Sequence, residues 1–100
     1  MLINETSTDM MTKARNIVYQ YFNTHADITN NFNLNIEDVY VVWFCKTLQN
    51  WKALVSTNVA DGMYYEITYN GDKREAYLDV YKKWENLTIP DCTAVLDNVD

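Results

Sequence analysis

Apolar residues recur at Met10, Ala14, Ile17, Val18, Tyr21 and Phe22, the spacing that lines up side chains along one face of a helix. Ser7, Thr8 and Asp9 stand ahead of this stripe as candidate N-caps, and Asn23-Thr24 predicts an end near His25. Residues 26–35 hold four Asn, one Asp and one Thr, side chains that compete with regular structure by bonding the local backbone. They read as a loop, followed by a short turn at Ile36-Glu37-Asp38.

The run Val39-Tyr40-Val41-Val42-Trp43-Phe44-Cys45 is the clearest strand signal. It is apolar on both sides of the pleat, so both faces are expected to be covered and Cys45 to be buried. A turn near Gln49-Asn50 leads into a second strand, Trp51 to Thr57. Asp61-Gly62 tolerates the positive φ of a turn, and Met63 to Tyr69 then alternates. Met63, Tyr65, Ile67 and Tyr69 face one way, and Tyr64, Glu66 and Thr68 the other. Short connections make the three strands an antiparallel meander, with an exposed edge expected at strand two or three.

The stretch from 72 to 88 reads two ways. Asn70-Gly71 is a hairpin signal, and Ala76, Leu78 and Val80 alternate as in a fourth strand. The competing pattern is helical: Asp72-Lys73-Arg74-Glu75 has the form of a capping box, and Ala76, Tyr77, Val80, Tyr81, Trp84, Leu87 and Thr88 share a stripe. Leu78 is the only large apolar residue off that stripe, and Lys82 and Lys83 suit a late helical turn. The helical pattern accounts for more residues. It predicts an α+β fold in the order α-β-β-β-α, a three-stranded antiparallel sheet with two helices packed on one face. Pro90 ends the second helix, so residues 1–90 form one domain and residues 91–100 an acidic C-terminal tail.

At 100 residues, 48% of them hydrophobic, the chain can bury a core and is not a disordered polymer. Fourteen acids against eight bases give a net charge of −6, which argues against direct binding to nucleic-acid phosphates. The one stretch with net positive charge is 39–60, which holds Lys46, Lys52 and no acid. No apolar run approaches the roughly 20 residues of a membrane span. The opening residues lack the charged-then-apolar order of a secretion signal. A reducing cytoplasm, with Cys45 and Cys92 as free thiols, is therefore expected.

Reactive constellations are sparse. His25 is the only histidine and reads as a helix C-terminal residue meeting free carbonyls. A Cys45–His25 nucleophile pair is the alternative, opposed by the apolar setting of the thiol. Asp72, Glu75 and Asp79 would share one helical face, which capping and pairing with Lys82 or Lys83 explain without a metal. Two glycines cannot build a phosphate-binding loop. No catalytic residue, metal ligand or cofactor is assigned, and the chain is not expected to be an enzyme. Eight Tyr and three Trp suit macromolecular contact as well as core packing. Lys46, Lys52, Trp43, Trp51, Tyr64 and Tyr65 are the candidates for stacking on single strands, a use less favoured than protein contact.

The segments Asp38 to Leu54, Ser56-Thr57-Asn58, Asp61 to Glu66, Tyr69 to Lys73 and Tyr81-Lys82-Lys83 resemble a family of small phage and prophage proteins of Gram-positive bacteria. The resemblance covers residues 36–88. It implies an accessory protein of the bacterial cytoplasm and transfers no catalytic residue. The α-β-β-β-α order is also similar to acidic phage inhibitors of CRISPR nucleases and to double-stranded RNA-binding domains. Charge disfavours the RNA-binding version. The resulting expectation is a binding protein that inhibits or modulates a host or defence-system protein with a basic surface, in the manner of a DNA mimic. The residues expected to carry it are Glu37, Asp38, Asp72, Glu75 and Asp79, with Trp51 and Tyr64 as aromatic anchors. The alternative is a structural or regulatory homodimer that pairs through a strand edge.

Overall fold

A computed structural model describes residues 5–25 and 34–90. Most of the Asn-rich stretch (residues 26–33) and the acidic tail with Cys92 (residues 91–100) lie outside the described residues. Helix α1 spans Ser7–His25, a single 3₁₀ turn spans Ile36–Asp38, and four strands follow: β1 Val39–Thr47, β2 Asn50–Thr57, β3 Met63–Asn70 and β4 Glu75–Lys82. They form one antiparallel meander in the order β1-β2-β3-β4.

The cap of α1 falls one residue ahead of the expected positions. Thr6 Oγ1 accepts the Asp9 N–H and the Asp9 carboxylate accepts the Thr6 N–H, both at 3.1 Å, a reciprocal box that satisfies two end groups. Met10, Ala14 and Val18 are buried on the inner side, as their spacing predicts. They pack on Leu34, Val39, Trp51, Ala53, Val55, Tyr65 and Ile67. Arg15 ties the helix to the sheet, its Nε donating to the Val39 carbonyl and its Nη2 to the Ile36 carbonyl, each at 2.8 Å. Asn23 does the same at the far end, exchanging hydrogen bonds with the Leu34 backbone.

The expected second helix is a strand, and the expected three-stranded sheet has four strands. The competition is settled in the turn. Asn70 Oδ1 accepts the N–H groups of both Asp72 and Lys73, and Arg74 takes φ +55°, so the chain reverses before a helix can start. Asp72, expected to cap a helix, instead accepts a hydrogen bond from the Gln49 side-chain amide. Gly71 sits against that neighbouring turn, where a Cβ would lie 2.2 Å from the Gln49 carbonyl oxygen. The stripe that read as helical divides between two faces: Ala76, Leu78 and Val80 turn toward the α1 side, Tyr77, Asp79 and Tyr81 away from it. Leu78, off the helical stripe, is half-buried in the strand.

Adding β4 makes β2 and β3 interior, so the sheet edges are β1 and β4 rather than strand two or three. The β1–β2 turn also shifts to Leu48-Gln49, with Leu48 at φ +55°. A bulge between Val41 and Trp43 swings the second half of β1, so that Phe44 joins the α1 side with Val39 and Val41. The expectation that β1 is covered on both faces fails in the single chain. Helix α1 packs on β1 and β2 from one side, and Trp43 and Cys45 face solvent on the other. Cys45 is accordingly exposed, not buried.

Candidate functional site

The uncovered face is built in rows across the strands. One row runs Cys45, Lys52, Thr68, Tyr77, and the next runs Trp43, Leu54, Glu66, Asp79. Beyond them Tyr40 stands opposite Ser56, and Tyr64 opposite Tyr81. Cys45, Lys52 and Thr68 floor a groove of about 490 Å³ that also has Trp43 and Tyr77 in its lining. Its two aromatic walls remain 42% and 44% exposed, large apolar area for residues at the centre of a strand.

Charge on this face is graded. Lys52 lies in the β1–β2 half, and Glu66, Glu75 and Asp79 lie in the β3–β4 half. Glu66 links the two, its carboxylate 3.6 Å from the Lys52 ammonium and accepting a 3.4 Å hydrogen bond from the Tyr81 hydroxyl. Tyr77 donates to Glu75. The hydrogen bond to Glu75 raises the Tyr77 phenol above its ordinary value, and the negative charges of Glu66 and Asp79 raise that of Tyr81. Both tyrosines therefore remain hydrogen-bond donors throughout the neutral range. The Lys83 ammonium lies 5.6 Å from the centre of the Tyr64 ring, a cation–π contact at the border of the same face.

The residues expected to form one acidic and aromatic surface are distributed differently. Glu75, Asp79 and Tyr64 share the open face. Glu37 and Asp38 sit at the end of the sheet where β1 starts, and Asp72 sits in the turn at the opposite end, about 26 Å away along an eight-residue strand. Asp38 is engaged within the fold, accepting from the Asn35 N–H at 3.1 Å and the Asn58 amide at 3.4 Å. Trp51 is 4% exposed and stacked on Tyr69 at 5.4 Å; it belongs to the core and also borders the groove. Burial removes Tyr65 from surface contact. Trp43 and Lys52, candidates for stacking on single strands, lie on this face together with Tyr77 and Tyr81; the two-sided apolar pattern of β1 is the sequence signal for Trp43, and Tyr77 and Tyr81 carry none.

His25 and Cys45 lie on opposite sides of the sheet and do not form a nucleophile pair. The His25 ring stacks on Tyr21 at 4.1 Å, and its Nδ1–H donates to the Tyr21 carbonyl at 2.9 Å, the helix-terminal contact its position predicts. Among the described residues, no group of three or more His, Cys, Asp or Glu is placed to hold a metal ion. No helix among them is long and apolar enough to cross a membrane.

A helix backing one side of a four-stranded meander, with the other side open and aromatic, defines a small α+β protein that presents a sheet surface. The chain belongs to the family of unknown function DUF6275, whose profile matches residues 11–91 and so takes in most of α1 and all four strands. No curated protein and no solved structure matches the chain.

Proposed function

We propose that this is an acidic accessory protein of phage or prophage origin that acts in the cytoplasm of a Gram-positive host. It binds a host or defence-system protein and inhibits or modulates it, with the open face of the sheet as the binding surface. The observation that carries this reading is the groove between Trp43 and Tyr77, beside the carboxylates of Glu66, Glu75 and Asp79. Exposed aromatic walls supply the buried area of an interface centre, and a graded border of acids selects a partner with basic side chains. A net charge of −6 favours the same partner at long range and disfavours nucleic acid as the ligand. Inhibition then follows from occupancy: an acidic surface seated on a basic channel excludes the phosphates that the channel is built to hold.

The test is capture from the natural host with wild-type, Trp43→Ala, Tyr77→Ala and Glu75→Lys/Asp79→Lys chains, at low and high salt. A specific partner retained by the wild type and lost from each face variant, with salt weakening retention, is the expected result. Equal capture by the face variants removes the open face from the function.

A further inference from the structure

The two edges of the sheet are treated differently. On β1 the bulge interrupts the outer ladder, and the outward Val39 carbonyl is taken by Arg15. On β4 nothing comparable occurs among the described residues. The Lys83 N–H donates inward to the Gly62 carbonyl at 2.7 Å, and bonding alternates along an antiparallel strand. Residues 75, 77, 79 and 81 therefore bond to β3, while Ala76, Leu78, Val80 and Lys82 turn their N–H and C=O groups to the free edge. β4 is exposed along most of its length, and just beyond it Trp84 is 97% exposed. Such an edge is a template for another strand.

We propose that β4 pairs antiparallel with β4 of a second copy, centred on Leu78, to give a two-fold symmetric, eight-stranded sheet. The charge pattern selects this register. With Leu78 opposite the partner's Leu78, Tyr77 meets the partner's Asp79 and Glu75 meets the partner's Tyr81, so each of these carboxylates faces a neutral ring and none faces another carboxylate. Sliding by two residues one way sets Asp79 against its own copy, and sliding the other way sets Glu75 against the partner's Asp79. Like charges directly opposite destabilise a pair of strands. On the α1 side the chosen register joins Leu78 to its copy and Ala76 to the partner's Val80, an apolar seam in which Ala76 is exposed and Leu78 and Val80 are half-buried in the single chain. At the ladder's end Lys82 comes opposite the partner's Arg74, a contact open to water and screened by salt. Beyond it Trp84 is carried over the partner's β3–β4 turn, where Lys73 and Arg74 of the partner subunit offer cations to the indole face. The dimer leaves both open faces free, on one side of a continuous sheet, and doubles their acidic rows.

Analytical ultracentrifugation of four chains tests this. Ala76→Pro removes an outward N–H without touching the β3 ladder, and Leu78→Lys sets two ammonium groups against each other at the symmetry axis. The wild type is expected to sediment as a dimer and both variants as monomers with wild-type circular dichroism. An equimolar mixture of Leu78→Lys and Leu78→Glu is expected to recover the dimer, which a folding defect cannot produce. A wild-type chain that stays monomeric up to millimolar concentration, a Leu78→Lys chain that stays dimeric, or a mixture that does not recover the dimer overturns the proposal.

Discussion

Tyr65 concentrates several of the forces that hold this fold. Its ring is buried between α1 and the sheet, edge-on to Tyr21 at 6.0 Å. Desolvation, reinforced by the negative charge of Asp61, pushes its hydroxyl from 10.0 to about 12. Because the folded value is the higher one, the contribution to stability is complete below about 10 and is lost as pH rises toward about 12. Urea unfolding followed across that window should show a falling midpoint, and Tyr65→Phe should flatten the fall. Asp9 has the opposite sign. Its hydrogen bonds with Thr6, the backbone one foremost, hold the carboxyl below its usual value. Its contribution is therefore present above the ordinary carboxylate range and is lost as pH falls through the lowered value. Acid should fray the first turn of α1 before the sheet responds, and Asp9→Asn should remove that early step in residue-resolved hydrogen exchange. Arg15 is the residue-scale joint between α1 and the edge of β1. Arg15→Ala leaves the Val39 carbonyl without its donor and should cost about 2 kcal/mol in urea unfolding.

At the scale of elements, α1 and β3 were legible from their apolar periods, β1 from its β-branched and aromatic run, and the β2–β3 turn from Asp61-Gly62, whereas the β1–β2 turn at Leu48-Gln49 carries no such signal. The alternation of Tyr64, Glu66 and Thr68 against Tyr65, Ile67 and Tyr69 is reproduced in the sheet. β4 was misread because its residues fit both periods. Alternating Ala76, Leu78 and Val80 compete with a longer helical stripe, and an apparent capping box tipped the reading. The turn at Asn70 settles the reversal locally, and bonds from the distant β1–β2 turn, Gln49 to Asp72 and Asn50 to the Gly71 N–H, reinforce it with no local signature in the sequence. The same error misplaced the site: Glu75 and Asp79 share a face in either structure, whereas Asp72 shares it only in a helix. The burial of Trp51 was not legible, because an aromatic residue opening a strand looks alike whether it faces the core or solvent. A glycine pair tests the turn argument. Gly71→Ala drives a Cβ into backbone and should destabilise by about 2 kcal/mol, whereas Gly62→Ala, at φ +72° in roomier surroundings, should cost about 1 kcal/mol.

For the whole molecule, the unmet expectation about β1 is the informative one. A strand apolar on both sides suits a place between two layers, yet among the described residues α1 supplies only one, which leaves Trp43 and Cys45 exposed. Edge and open face are separate surfaces, and one measurement assigns the contacts of any dimer to one or the other. In a monomeric chain such as Leu78→Lys, the amides of residues 75, 77, 79 and 81 are bonded to β3, while those of residues 76, 78, 80 and 82 face solvent. Exchange on β4 should therefore alternate slow and fast along the strand. In the wild type, at concentrations where it sediments as a dimer, the four outward amides should slow toward their inward neighbours as the second β4 takes their hydrogen bonds. Protection that leaves the alternation intact while dimer mass persists would place self-association on the open face. That would put the second copy in competition with the proposed target for Trp43 and Tyr77, so capture of that target would weaken as the protein is concentrated. Loss of the alternation leaves the open face available to the proposed target at any concentration.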